Sequence, residues 1–413
     1  MKKPELLSPA GDMERLDMAL RYGADAVYLA GTQYGMRGGV KNFTPDELTE
    51  AVRRCHAQGT RVHVTVNTLP RTDEFDALPD YLRHLEAIGA DALIIADMGV
   101  LRLAKRYAPT PEKHISTQAG IVNAESALGW MELGAKRVVL ARELSLEEIR
   151  AIRKAVPPEL EIETFVHGSM CVSFSGRCLL SNYMTGRDAQ RGVCAQPCRW
   201  KYALMEETRP GQYFPIIEED GGTYIMNSRD MCMIEHIPEL IDAGIDSLKI
   251  EGRAKSSYYT AVVTNAYQRA IAAAMAGEPL DPVWLEEVQK ISHRNYCTGF
   301  YYGDDGKMQY YDDARYLRDW QVAAYVVSCD PAGNALLTQR NRFYAGEELE
   351  LLPPGEKPAR FTAEYITDAD GLPLDACVHP EMLFYMKLPC WAPKGSILRR
   401  ETVKKTENDA VSG

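Results

Sequence analysis

Nowhere do the 413 residues offer an uncharged apolar run of membrane-spanning length, about 20 residues. The first residues, MKKPELLSPAGDMERL, have two lysines but neither the apolar core nor the cleavage site of a secretory leader. A cytoplasmic location with no membrane partner is therefore expected. Proteolytic signatures are missing too: there is no HExxH for zinc proteolysis and no GxSxG nucleophile elbow. No GxGxxG turn marks a dinucleotide switch point. Positive charge is in deficit, with Lys+Arg 47 against Asp+Glu 58 and a net charge of -11, which argues against nucleic-acid binding through a uniformly basic surface. Cysteine is sparse over most of the chain, six of the 10 being scattered outside one short segment.

That segment is ETFVHGSMCVSFSGRCLLSNYMTGRDAQRGVCAQPCRW, Glu163 to Trp200, and it holds Cys171, Cys178, Cys194 and Cys198. In a reducing compartment such density signals metal or catalysis rather than disulfides. Four converging thiolates suit an iron-sulfur cluster or a tetrahedral structural zinc. Zinc sites usually pair their ligands in tight knuckles, and only Cys194 and Cys198 are so spaced, so the cluster is the favoured reading. Ordinary buried thiols are the bland alternative. It fits poorly, because Gly168, Gly176, Gly186, Gly192 and Pro197 break any core-facing periodicity. Four clustered thiols are also better ligands than nucleophiles.

Local charge around the cysteines opposes the global balance. From Arg177 to Lys201 the bases Arg177, Arg187, Arg191, Arg199 and Lys201 face one acid, Asp188, a local charge of five minus one, or +4. Tyr183, Trp200 and Tyr202 are interleaved with them. Basic groups neutralise phosphates and aromatic faces stack unpaired bases, so one reading is a docking rim for single-stranded nucleic acid. A solvated loop with aromatic anchors is the other.

Up to Ser169, short β-branched runs alternate with amphipathic stretches: ELLSPAG, DAVYLAG, RVHVTVNT, DALIIAD, HISTQAG, RVVLAREL and EIETFVHG. Helical patterns lie between them, at Asp12 to Tyr22, Thr44 to Ala57, Phe75 to Ile88 and Ser145 to Val156, with Thr44 to Glu47 reading as a capping box. Two further units follow, YIMNSRD with a helix from Met231 to Ala243 and SLKIEG with a helix from Ser256 to Ala276. This is the pattern of an α/β (β/α)8-type barrel. Nine strands are one more than a barrel needs, so one is a loop or an added hairpin. From Gln321 onward short alternating strands separated by DPAGN, PPGEK, DADG and APKG read as a small antiparallel β-barrel. The expected organisation is a barrel domain over 1–278 with the cysteine insertion at 171–198, a helical connector over 279–318, a β domain over 319–405 and a disordered tail over 406–413.

Active sites of such barrels form at the C-terminal ends of the strands. Ser8, Tyr28, Arg37, Asn67, Asp97, Gln118, Arg142, Glu143, His167, Asn227, Lys249, Glu251 and Arg253 all fall there. Each also reads as a cap, a loop anchor or an ion-pair partner. His167, Asn67, Gln118, Arg142 and Glu251 are the catalytic candidates, with His167 also placed for supporting the metal ligands. Arg177, Arg187, Arg191, Lys249 and Arg253 are the candidate substrate-binding cations.

Three passages, SPAGDMERLDMALRYGADAVYLA, ETFVHGSMCVSFSGRCLLSNYMTG and SLKIEGRAKSSYY, resemble the collagenase-like peptidase U family of unknown catalytic type, number thirty-two. The resemblance runs from about Leu6 to Tyr301, and the β-rich C-terminus is similar to that family's accessory domain. It implies a four-iron, four-sulfur cluster on Cys171, Cys178, Cys194 and Cys198, with Cys232 a rival for the fourth position. By length and extension the chain looks most like the tRNA hydroxylation branch. That likeness implies prephenate-dependent 5-hydroxylation of the wobble uridine, with the anticodon loop as partner and a paralogous second subunit. A collagenase-like peptidase and a non-catalytic scaffold stapled by metal are the alternative readings.

Overall fold

Runs rich in β-branched residues, separated by capped amphipathic helices, close into a barrel of eight parallel strands in the computed structural model, which describes residues 2–36, 41–171, 173–200, 229–303 and 317–402. Strands β1 (Glu5–Pro9), β2 (Ala26–Leu29), β3 (Arg61–Val66), β4 (Ala92–Ile95), β5 (Glu112–Ile115), β6 (Arg137–Val139) and β7 (Glu161–Ser169) succeed one another around the wall. After β8 (Asp230–Cys232), β9 (Ser247–Ile250) completes it by pairing in parallel with both β7 and β1. Helix starts follow the side-chain chemistry read from the sequence. Thr44 and Glu47 form the reciprocal capping box of helix Pro45–His56, and Ser145 and Glu148 do the same for Leu146–Ala155.

The surplus strand is YIMNSRD. Residues 224–228 lie outside the described residues, and the run ends in β8, which sits antiparallel to the far end of β7 through His167↔Cys232 and Ser169↔Asp230. β10 (Tyr296–Cys297) pairs beside it. The helix expected from Met231 shrinks to Ile237–Asp242, because β8 and a 3-10 turn over Ile234–His236 use the preceding residues and Pro238 suits a helix's first turn.

Barrel interiors are usually filled by bulky branched residues. Here the inside carries charge. Arg137, 2% exposed, donates to Glu5 at 2.6 Å and Glu163 at 3.0 Å and pairs with Glu161 at 2.8 Å. Lys249 Nζ donates to the other Glu163 oxygen at 2.7 Å. Burial alone would raise the Glu163 carboxyl, yet Lys249 and Arg137 outweigh it and hold the group at about 2.

The six C-terminal strands expected from the alternating segments form as β11 (Trp320–Cys329), β12 (Asn334–Gln339), β14 (Glu348–Leu352), β15 (Ala359–Thr362), β17 (Leu383–Lys387) and β18 (Ile397–Glu401), and two short strands that were not expected, β13 (Phe343–Tyr344) and β16 (Ala376–Cys377), accompany them. Six of them order as β15-β14-β18-β11-β12-β17, an antiparallel half-barrel whose edges are β15 and β17, with β13 and β16 as a separate ribbon. The domain docks on the barrel's helices by a buried ion cluster. Arg399 donates to Glu350 at 2.8 Å, Glu287 at 2.5 Å and the Tyr258 hydroxyl at 3.3 Å. No helix among the described residues is long and apolar enough to cross a membrane, and residues 403–413, which include the expected tail, lie outside the description.

Candidate metal centre at the barrel mouth

The cysteine segment lies across the C-terminal ends of the strands, and two glycines set its path. Gly168, near the end of β7, has φ +107°, and a Cβ there would stand 2.5 Å from the Glu251 carbonyl oxygen. Gly176 has φ +73°, and a Cβ would stand 2.0 Å from the Gln118 carbonyl oxygen. Only glycine permits both the conformation and the approach. Arg142 then ties strand to segment: Nη1 donates to the Ser169 carbonyl at 2.8 Å and the guanidinium stacks 3.8 Å over the Phe165 ring. Glu143 accepts from the Ser175 backbone N–H at 2.8 Å.

Further along, Cys178 precedes a short helix (Leu180–Thr185), Cys194 lies between two 3-10 turns, and Cys198 sits in the second of them, Pro197–Arg199. Buried Ser181 organises them, donating to the Arg187 carbonyl at 2.8 Å and accepting from the Ala195 N–H at 2.9 Å. Gln196, held at φ +55°, directs its backbone N–H at Cys194 Sγ, 3.4 Å away. Hydrogen bonds of this kind tune sulfur ligands of iron-sulfur clusters.

Cys171, Cys178, Cys194 and Cys198 line one cavity of about 140 Å³ and none of them is in a disulfide. Gln118, Arg142 and Glu143 share its wall, as do Met36, Thr117 and Gln190, which the sequence gave no reason to single out. Four thiols around one cavity, with a backbone donor on one of them, fit a four-thiolate group such as a four-iron, four-sulfur cluster. Cys232 does not line this cavity. It lies against Tyr267, whose hydroxyl is 3.9 Å from its sulfur, and burial pushes the thiol up to about 11.

The other candidates serve different parts of the molecule. Asp97 caps helix Met98–Tyr107 by accepting from Val100 N–H at 2.9 Å, and Ser8 bonds Thr264 on the outer helix at 2.6 Å, so both serve the scaffold. Asn67 anchors the loop at Met36, accepting its N–H at 3.1 Å. Lys249 lies inside the barrel on Glu163, while the buried Arg253 side chain donates to the Met36 carbonyl. His167 lines neither cavity described here. It is sheathed by Tyr259, Tyr267 and Tyr296, and burial holds its ring down to about 3, hence neutral. Arg37, Asn227, Lys201 and Tyr202 lie outside the described residues.

Of the basic rim, Arg177, Arg187 and Arg191 are exposed; Arg187 bonds the Val193 carbonyl at 3.1 Å and Arg191 pairs with Glu74 at 2.6 Å. Tyr183 is 85% exposed, with Leu179, Phe174 and Trp200 also presented to solvent. A second cavity of about 520 Å³ adjoins the first through Gln196 and is lined by Glu251, Tyr28's hydrogen-bond partner, together with Lys255, Tyr258, Arg318 and Trp320. Sequence reading missed it because its residues come from distant parts of the chain.

The model of Peptidase family U32 matches residues 11–310, and that of the family's C-terminal domain matches residues 318–399. The chain belongs to peptidase family U32. This U32 chain is similar to tRNA hydroxylation protein P1 of Bacillus subtilis, 40% identical over 392 residues that cover 94% of the chain and 92% of that protein. It is 35% identical over 309 residues to tRNA hydroxylation protein P2 of the same organism, covering 73% of the chain and 98% of that protein. The 23S rRNA 5-hydroxycytidine C2501 synthase of Escherichia coli is 35% identical over 323 residues, with 76% of the chain and 47% of that protein covered.

Proposed function

We propose that this chain hydroxylates RNA, and specifically takes part in prephenate-dependent 5-hydroxylation of the wobble uridine of tRNA. The observation that carries the reading is the convergence of Cys171, Cys178, Cys194 and Cys198 on one cavity at the barrel mouth, in a chain whose relatives are named for RNA hydroxylation. Replacing a C5 hydrogen by hydroxyl is a two-electron oxidation. A four-iron, four-sulfur cluster held by these thiolates supplies one-electron transfer when bound. Arg142, Glu143 and Gln118 form the polar wall against which a flipped base is oriented. Arg177, Tyr183 and Trp200, all exposed, offer phosphate contacts and stacking faces for an already partly unstacked anticodon loop. The pair of Bacillus relatives supports a paralogous second subunit as partner.

A peptidase reading draws on the family name, but no histidine lines the thiol cavity among the described residues, so its lining does not supply the imidazole base that nucleophilic attack requires. The deciding experiment is nucleoside mass spectrometry of tRNA from a deletion strain complemented with this chain. Wild type restores 5-hydroxyuridine and Cys171→Ser does not. Full restoration by Cys171→Ser would overturn the proposal.

A further inference from the structure

In a (β/α)8 barrel, alternate strands contribute the side chains of one interior layer. Strands β3, β5 and β7 place His63, His114 and Glu163 in the interior, with their nitrogen and carboxylate atoms all within 4.8 Å of one another. The His63 and His114 rings meet edge to face, 4.8 Å between centroids, and both side chains are 0% exposed. On β4, between β3 and β5, the residue opposite His63 in the strand register is the small Ala92.

The hydrogen bonding of the two imidazoles is incomplete. His114 Nε2 lies 3.0 Å from Glu112 Oε2, which fixes the proton on Nε2 and leaves a bare lone pair on Nδ1. That Nδ1 has no hydrogen-bond partner, nor has either ring nitrogen of His63. Buried polar atoms are almost always satisfied, so three orphaned imidazole nitrogens in one pocket call for a missing partner. An imidazole whose second nitrogen donates to a carboxylate is the usual arrangement of a metal-bound histidine.

We infer that His63, His114 and Glu163 hold one divalent transition-metal ion of the zinc class, separate from the cysteine cavity. Two neutral imidazoles and a carboxylate are ligands of that class. The carboxylates of Glu5 and Glu112 stand beside the two rings, Glu5 Oε2 3.9 Å from His63 Nε2 and Glu112 Oε2 3.0 Å from His114 Nε2, and favour a cation there. Arg137 and Lys249 occupy Glu163 at 3.0 and 2.7 Å, so the ion binds in competition with them and draws the carboxylate toward the histidines. Arg61 and Glu112, about a third exposed, mark the entry at the N-terminal ends of the strands.

The test uses the full chain with all four segment cysteines changed to serine, freed of metal by a chelator and titrated with Zn²⁺. Uptake of about one zinc per chain is expected, with His63→Gln and His114→Gln each abolishing it. Glu112→Gln, which removes the orienting carboxylate along with its ion pair to Arg61, weakens binding about 10- to 100-fold. Zinc uptake indifferent to these changes, or no uptake, overturns the inference. Should the variants fail to fold, anomalous scattering at the zinc edge from crystals of the unaltered protein decides: a peak between the three side chains supports the site, and its absence after a zinc soak refutes it.

Discussion

The barrel interior and the segment across its mouth use the same residue types to opposite ends. Inside, Arg137 is 2% exposed with three carboxylates around it; outside, Arg177 and Arg187 are exposed and Tyr183 is 85% exposed. Buried charges must be fully paired because their desolvation is costly, and that pairing fixes the wall's geometry. Charges and rings at the mouth face water instead, and Arg187 and Arg191 are tied only to surface groups, the Val193 carbonyl and Glu74. The thiols lie at the boundary, with Cys171 exposed while Cys178, Cys194 and Cys198 are partly covered.

The sharpest way to break this contrast is from inside. Arg137→Met leaves Glu5, Glu161 and Glu163 without their common cation and should destabilise the fold by about 3 to 5 kcal/mol in a urea titration, the cost of orphaning a buried ion-pair network. A smaller loss, roughly 1 to 3 kcal/mol, is expected for Gly176→Ala, whose Cβ has no room against Gln118 and whose φ is +73°. That substitution should lift the segment off the mouth, so limited proteolysis between Cys171 and Cys198 ought to accelerate while the far-UV spectrum of the barrel holds. Thr44→Ala, on an outer helix remote from both regions, removes one capping box and should cost only about 1 kcal/mol.

Acid probes the interior again. His167 is held neutral by burial, at about 3 against an ordinary 6.5, so the unfolded chain takes up a proton below 6.5 that the native state refuses. Its contribution is complete above 6.5 and declines as pH falls toward 3. Glu163 acts lower down, its stabilisation being complete above 4.5 and lost as pH falls toward about 2. Denaturation midpoints should therefore drop first between about pH 6.5 and 4.5, and a flat midpoint there would contradict a buried neutral His167.

Much of this was legible in the chain. Runs such as DALIIAD and RVVLAREL announce buried parallel strands, and the capping box at Thr44 and the serine opening the pattern at Ser145 announce where helices begin. The four thiols stood out by density alone. The polar interior did not, because RVHVTV alternates as a half-solvated strand would, and nothing local says that the His63 side faces a closed barrel. β8 was hidden for a related reason: DMC is too short to signal direction, and its antiparallel pairing with β7 joins residues far apart in the chain. The second cavity needs Lys255 and Trp320 side by side, a proximity that only the docking of the C-terminal domain creates.

Purifying the protein without oxygen and measuring iron, acid-labile sulfide and zinc on the same sample tests the central claim most directly. The account predicts about four iron and four sulfide per chain, lost together in Cys178→Ser, as a cubane held by four thiolates requires. Protein that carries only zinc at these cysteines, or iron and sulfide that persist in Cys178→Ser, would contradict it.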